Sequence, residues 1–303
     1  MISGSPTSER SAAVHPAQTK SRGRRWALGR GALTLDRPHV VGIVNVTPDS
    51  FSDGGRFLDP TQAVQHASAL IEAGADMLDL GAESTRPGRP EAVPADEEWA
   101  RLGPVLEGVV RRHPQVPVSV DTTKAETARR ALEAGAWVIN DVSGLRFDPA
   151  MAATCAEHDA GLVLMHSRGD LTDMASYDHA TYGDLTLDVR RELTEAVNRA
   201  ESDGVRPERI VVDPGLGFAK TPEQNLRLLR ELDELTVLGF PIMVGPSRKR
   251  FLGDVTGTGV HDRDLATAAA CVCAYLGGAS LFRVHAVEPT REALAVAHAV
   301  WSA

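Results

Sequence analysis

The chain contains only three cysteines, Cys155, Cys271 and Cys273. Three thiols cannot build a disulfide framework. Cys271 and Cys273 also lack zinc-type spacing, so a reducing, cytoplasmic setting fits best. Basic residues are in the minority, with 32 Lys and Arg against 41 Asp and Glu and a net charge of −9. That balance argues against a general nucleic-acid or anionic-membrane surface, while leaving room for a local anion site. The N-terminal segment has no apolar h-region, so it does not read as a secretory signal. One uncharged run, Leu265 to Phe282, approaches bilayer-span length, but it is mostly Ala, Gly and Cys and is interrupted by Gly277-Gly278. It reads as a buried helix, a turn and a strand.

The composition is that of a globular protein: 43% hydrophobic and 24% charged over 303 residues. Such a chain can bury a sizeable core. Residues 1–35 stand apart. They carry Arg10, Lys20, Arg22, Arg24, Arg25 and Arg30 against the single acid Glu9. An Arg- and Ser-rich, acid-poor start resembles an organelle transit peptide. A disordered or weakly docked, flexible extension is the simpler reading, with residues 36–303 forming one domain.

Over 36–303, short β-branched runs alternate with Ala- and Leu-rich amphipathic segments. Strands are expected at 40–46, 77–81, 117–121, 137–141, 161–166, 209–213, 241–245 and 280–285. They are apolar without strict alternation, as where both faces of a parallel strand are covered. Asp59-Pro60 and Asp148-Pro149 read as helix starts. Thr221-Pro222-Glu223-Gln224 has capping-box spacing. Leu185, Val189, Leu193 and Val197 form one apolar stripe. Gly74, Gly135, Gly161 and Gly204 are expected to cap helix C-termini. Eight strands alternating with eight helices predict a (β/α)8 TIM barrel of the α/β class. A doubly wound open sheet is the rival, because periodicity does not reveal closure.

In a parallel barrel the loops after the strands build the site. Asp121, Asn140 and Asp213 end three strands and would point into one mouth. A lone Asp or Asn there is more often a turn former, and that reading is preferred for Asp141 and Thr122. Three together would be costly to bury without a partner. Two carboxylates and an amide match a flat heterocycle with an amino-amide edge. Arg86, Lys249, Arg283 and His285 add positive charge suited to an anion, whereas Arg248 and Arg250 read as salt-bridge residues. Asn45 by itself reads more often as a turn residue, with an oxygen ligand for a hard cation such as Mg2+ as the alternative. Phe51, in a Gly-, Asp- and Ser-rich first loop, reads as a lid or as a side chain tucked onto the barrel. Met165 reads as packing.

The strings G-I-V-N-V-T-P-D-S-F-S-D-G-G (42–55), D-L-G-A-E-S-T-R-P-G (79–88), S-V-D-T (119–122), I-N-D-V-S-G (139–144), D-P-G-L-G-F-A-K (213–220), S-R-K (247–249) and R-V-H (283–285) resemble dihydropteroate synthase. The likeness runs in order from about residue 36 to 300. It implies a transferase that condenses 6-hydroxymethyl-7,8-dihydropterin diphosphate with p-aminobenzoate, giving 7,8-dihydropteroate and diphosphate. It also implies Mg2+, a cytoplasmic folate pathway, a homodimer and competition by sulfonamides. By the same resemblance Asp121, Asn140, Asp213 and Lys249 hold the pterin, with Met165 beneath it. Thr85, Arg283 and His285 meet the diphosphate, and Asn45 binds Mg2+. Phe51, Thr85, Arg86, Pro87, Phe218 and Ser247 shape the p-aminobenzoate pocket, and Asp53 helps close the site. The expected mechanism is dissociative: diphosphate departs, Asp121 stabilises the pterin methylene cation, and the arylamine attacks.

Several positions depart from the family pattern. Ala82 and Ala219 stand where glycine is frequent and are expected to change backbone freedom slightly. Ser167 replaces a longer apolar residue, and Pro246 precedes Ser247. Ala286 replaces an Asp, which puts diphosphate handling in question. The rival functions are a pterin-binding methyltransferase, a non-catalytic pterin-binding paralogue and an unrelated phosphate-binding isomerase.

Overall fold

The computed structural model describes residues 25–47, 59–83 and 93–303. An antiparallel hairpin, β1 (Arg25–Leu28) and β2 (Gly31–Thr34), precedes the barrel. The barrel strands are β3 (His39–Asn45), β4 (Met77–Gly81), β5 (Val118–Asp121), β6 (Val138–Asp141), β7 (Gly161–Met165), β8 (Ile210–Asp213), β9 (Met243–Val244) and β10 (Leu281–Val284). All pair in parallel, in the order β8-β7-β6-β5-β4-β3-β10-β9. The two ends of that order meet in a parallel bridge between Val212 and Ile242, with Val212 N–H donating to Pro241 O at 3.0 Å. The sheet therefore closes, which removes the open-sheet rival.

Every crossover holds a helix. These are α1 (Pro60–Glu72), α2 (Ala95–Arg112), α3 (Ala125–Glu133), α4 (Met151–Glu157), α5 (Leu185–Ser202) and α6 (Pro222–Arg230); α7 (Arg250–Thr256) and α8 (Asp264–Leu276) share the last crossover, and α9 (Val287–Ser302) follows β10. The run 265–282 is α8, a turn at Gly277-Gly278 and β10, as read from the sequence.

Strand residues alternate between two environments, as the pleat requires. Val40, Val44, Leu78, Leu80, Ile139, Leu162, Leu164, Val212 and Phe282 join the helix-facing core. Val41, Met77, Val138, Val163, Val211, Met243 and Leu281 form a separate cluster inside the barrel's lower end. One or two pleats further along the same inward rows come Asn45, Asp79, Asp121, Asn140, Asp213 and Arg283. The alternation is present, but only the upper half of the inner row is polar, so the runs look continuously apolar in sequence.

The boundary at residue 36 requires correction. Trp26, Leu28 and Leu35 are buried in the lower barrel cluster, and Trp26 Nε1 donates to Arg209 O at 2.8 Å. Residues 25–35 therefore plug the barrel floor. The Arg and Gly around this short apolar hairpin masked it in a composition reading.

The caps are partly as expected. Asp59 accepts from Thr61 N–H, and Thr221 with Gln224 forms the capping box. Gly74, Gly135 and Gly204 have positive φ, whereas Gly161 does not; Asp159 takes the left-handed turn after α4 instead. Asp148 does not cap its own helix. Its carboxylate accepts from Ala150 N–H at 3.0 Å and from Ala125 N–H, the first residue of α3, at 2.8 Å.

Candidate active site

Five strands bring their inward polar residues to one mouth. Arg283, on β10, lies between two carboxylates. Its Nε donates to Asp79 Oδ2 at 2.5 Å and its Nη2 to Asp121 Oδ2 at 2.8 Å. Asn140 Nδ2 also donates to Asp79 Oδ2, at 3.1 Å. Asp121 is in register with Asn140 on β6 and with Gly81 on β4. Asp213 ends β8 in register with Met165, and its Oδ1 accepts from Gly215 N–H at 2.7 Å.

Asp79 was not among the expected site residues. It lies between Leu78 and Leu80, one pleat below the strand end, where an acid in an apolar run is easily absorbed into the core. Its signal is the period of two that separates it from Gly81. Asp79 Oδ1 is buried without a hydrogen-bond partner among the described residues. A buried unpaired carboxylate oxygen is costly, and here the neighbouring guanidinium offsets part of that cost.

Burial raises Asp121 well above the ordinary carboxylate range; Arg283 opposes the shift and Asp79 adds to it. Burial pushes Asp213 up to about 6 and draws the Lys249 ammonium down to about 8, with Arg283 adding to the second shift. For Arg283, burial works against the charge, yet Asp79 and Asp121 raise its pKa above the usual arginine value.

The expected positive rim is thereby corrected. His285 is drawn down to about 3 by burial, then by Arg283 and Arg248, so at neutral pH it is an uncharged imidazole. Arg283 is matched by two acids. Lys249 keeps its ammonium 3.7 Å from the centroid of the Phe218 ring, a cation–π contact.

Ser247 touches His285 on two sides. Its Oγ accepts from His285 N–H at 3.0 Å and lies 2.8 Å from the ring Nδ1. On the other side of the ring, Asn45 Nδ2 lies 3.3 Å from Nε2. Phe218 and Met165 share an apolar cluster with Val142 and Met174. Arg248 is tied to Asp264 at 2.7 Å, the structural role expected for it; Arg250 instead lies over Tyr177, 5.0 Å from the ring centroid. Asp141 caps its own turn through Ser143 and Leu145 N–H, and Thr122 accepts from Lys124 N–H at 3.2 Å. Phe51, Asp53, Thr85, Arg86 and Pro87 lie outside the described residues.

The departures acquire physical content. Ala286 is the N-cap of α9 and makes no side-chain cap bond, so a carboxylate at this position has orphan helix N–H groups beside it. Ser167 Oγ donates to Val142 O at 2.8 Å and accepts from Arg146 Nη2 at 2.8 Å, pinning the loop after β7. Ala82 is fully buried. Ala219 has φ of 45°. That left-handed conformation costs a non-glycine residue about 1–2 kcal/mol, more than the slight effect expected.

Residues 41–285 match a family model described as pterin binding enzyme. The chain is 46% identical over 266 residues to the dihydropteroate synthase of Synechocystis sp., covering 88% of this chain and 91% of that protein. The fold is similar to the solved structure of Xanthomonas albilineans dihydropteroate synthase with 4-aminobenzoic acid, with a TM-score of 0.86 and 44% identity over 93% of this chain and 99% of the other. It is also similar to the Xanthomonas albilineans enzyme in complex with 7,8-dihydropteroate, with a TM-score of 0.82 and 42% identity over 92% and 99% of the two chains.

Proposed function

We infer the reaction from one premise: the chain belongs to the pterin binding enzyme family and stands among its dihydropteroate synthases. It condenses 6-hydroxymethyl-7,8-dihydropterin diphosphate with p-aminobenzoate, giving 7,8-dihydropteroate and diphosphate. The observation that carries the site is the Asp79–Arg283–Asp121 bridge with Asn140 on Asp79, which gathers four strands at one mouth.

The pterin ring lies against Asp121, Asn140, Asp213 and Lys249, with Met165 beneath it. Asp213 suits this role because Gly215 N–H occupies one carboxylate oxygen and the other is offered to ring N–H groups. The diphosphate meets Arg283, His285 and Thr85. The neutral imidazole is steered by Ser247 and Asn45 and serves as a hydrogen-bonding group, while Arg283 supplies the charge. Phe218, Ser247, Phe51, Thr85, Arg86 and Pro87 shape the p-aminobenzoate side, and Asp53 helps close the site.

The chemistry is dissociative. The bond between the pterin methylene and the diphosphate oxygen breaks first, and its electron pair leaves with diphosphate, where Arg283 meets the developing charge. The ring delocalises the methylene cation, and the Asp121 carboxylate stabilises it electrostatically. The p-aminobenzoate nitrogen then forms the new C–N bond and loses a proton. Water must be kept away from the cation, or the alcohol forms instead.

Asn45 fits Mg2+. Its amide oxygen is a hard donor, and this ion is often held by few protein oxygens together with substrate phosphates. Among the described residues no group of three His, Cys, Asp or Glu offers an alternative centre. Mg2+ held by Asn45 would neutralise part of the diphosphate charge.

No described helix is long and apolar enough to cross a membrane. The chain forms a homodimer in this reading, and sedimentation of the full chain tests it. The position of Ala286 at a helix cap weakens the case for a non-catalytic paralogue.

The test is diphosphate release by purified protein given both substrates. Turnover dependent on p-aminobenzoate, inhibited competitively by a sulfonamide and lost in Asp121→Asn, is expected. Pterin binding without turnover would leave a binding protein.

A further inference from the structure

Lys220 is fully buried, and the mechanism above does not use it. Its ammonium reaches three acceptors: His166 Nδ1 at 3.0 Å, Gly215 O at 3.1 Å and Phe218 O at 3.0 Å. A lysine ammonium has three donors and no acceptor, so all three are matched. His166 in turn lies 2.9 Å from Glu192 Oε2 through Nε2, and Glu192 accepts from Arg168 Nη2 at 2.5 Å. Accepting from Lys220 at Nδ1 places the imidazole proton on Nε2, aimed at Glu192. Burial draws His166 down to about 3, with Lys220 adding to the shift, which keeps the ring neutral and able to accept. Burial also draws Lys220 down to about 7, with Asp213 and Glu192 opposing the shift.

The segment it holds is unusual. Gly215, Gly217 and Ala219 all have positive φ, at 69°, 79° and 45°. A Cβ on Gly215 would run into the carbonyl of His166, and one on Gly217 would come within 2.7 Å of Lys249 Cδ. The turn thus passes tightly between the floor of the site and the Lys249 side chain. Its other ties are Asp213 to Gly215 N–H, Asn225 to Gly217 N–H at 2.6 Å, Gly215 O to Phe218 N–H at 3.1 Å, Met174 O to Ala219 N–H at 2.8 Å and Tyr182 O–H donating to Ala219 O at 3.0 Å. Lys220 holds two of the turn's carbonyls, those of Gly215 and of Phe218 itself.

We propose that Lys220 is a positioning residue, an internal ammonium that locks the 215–219 turn and so sets the Phe218 ring, on the p-aminobenzoate side of the site, against Lys249. His166 is its acceptor and Glu192 steers His166. The inference rests on the reading of Phe218 and Lys249 given above. The Asp213 backbone is held in the β7–β8 ladder, and Asp121 and Asn140 stand on other strands, so the effect falls on p-aminobenzoate more than on the pterin.

The test measures KM for each substrate, kcat and Tm in the full chain. Lys220→Met is expected to raise KM for p-aminobenzoate about tenfold and to change KM for the pterin diphosphate less than threefold. His166→Leu, which removes the acceptor, is expected to do the same. His166→Asn, which keeps an acceptor near the Nδ1 position, is expected to stay within threefold of the parent. Combining Lys220→Met with Phe218→Ala is expected to be no worse for that KM than Phe218→Ala alone. Should Lys220→Met not fold, the two His166 variants carry the comparison. A lowered Tm with KM for p-aminobenzoate unchanged in Lys220→Met and His166→Leu overturns the proposal, because Lys220 then only stabilises the fold. A silent Phe218→Ala instead overturns the assignment of Phe218, on which the proposal stands.

Discussion

Asp79→Asn removes one negative charge and few atoms, at the residue the sequence reading passed over. In the parent, Asp79 Oδ2 accepts from Arg283 at 2.5 Å and from Asn140 at 3.1 Å. The amide removes the anionic acceptor, so the Arg283 ion pair becomes a bond from a cation to a neutral oxygen. The amide oxygen can take the Oδ2 position and keep both donors, which leaves the NH2 group buried at the Oδ1 position, where no hydrogen-bond partner lies among the described residues. Hydrogen bonds to charged groups contribute roughly 1.5–3 kcal/mol. At about 1.4 kcal/mol per tenfold, kcat/KM for the pterin diphosphate should fall about 10- to 100-fold. A second effect is independent of that loss. Burial is the main cause of the raised Asp121 pKa, and the Asp79 charge adds to it. With Asp79 neutral, Asp121 releases its proton more readily, so the acid limb of the kcat/KM profile should move to lower pH. The assay is steady-state diphosphate release from pH 5 to 9, with thermal unfolding alongside to separate folding loss from site loss. A kcat/KM within twofold of the parent and an unmoved acid limb would refute the coupling of Asp79 to Arg283 and Asp121.

Three further outcomes are expected. In the parent, kcat/KM should fall below about pH 7, where Asp121 and then Asp213, pushed up to about 7 and about 6, take up protons, and above about pH 8, where Lys249 loses one; Lys249→Met should abolish the alkaline limb with most of the activity, and an alkaline limb that persists counts against Lys249. Ala286→Asp should supply the missing cap of α9 and stabilise the protein by about 1 kcal/mol in chemical denaturation, with kcat/KM unchanged; a change above threefold would return this position to diphosphate handling. Trp26→Ala should empty the barrel floor and lose the bond to Arg209 O, costing about 3–5 kcal/mol by the same method; a loss under 1 kcal/mol would mean that the hairpin only rests on the barrel.

Much of the site was legible for a definite reason. Asp121, Asn140 and Asp213 stand at the ends of apolar runs, and in a parallel barrel every strand end faces the same mouth. Other features were hidden because they depend on depth rather than position along the strand. Asp79 sits one pleat lower and looks like a blemish in a core strand. Trp26 and Leu28 look like isolated apolar residues among Arg and Gly until the barrel floor is there to cover them. The charge of His285 was misread because its shift comes from burial and from Arg283 and Arg248, on different elements. Lys220 was visible in its motif, yet nothing local marks a lysine as buried.

Local chemistry in the chain determined the alternating strands and helices, the capping box at Thr221, the apolar stripe of α5 and the polar strand ends, because each depends on neighbours within a few residues. Closure and charge pairing were decided only in three dimensions. The Val212–Ile242 bridge turns an open order of strands into a barrel. Arg283 meets Asp79 and Asp121 across 204 and 162 residues of chain. Which acid faces which cation, and how far burial moves their protons, depends on distances that exist only once those strands share one interior.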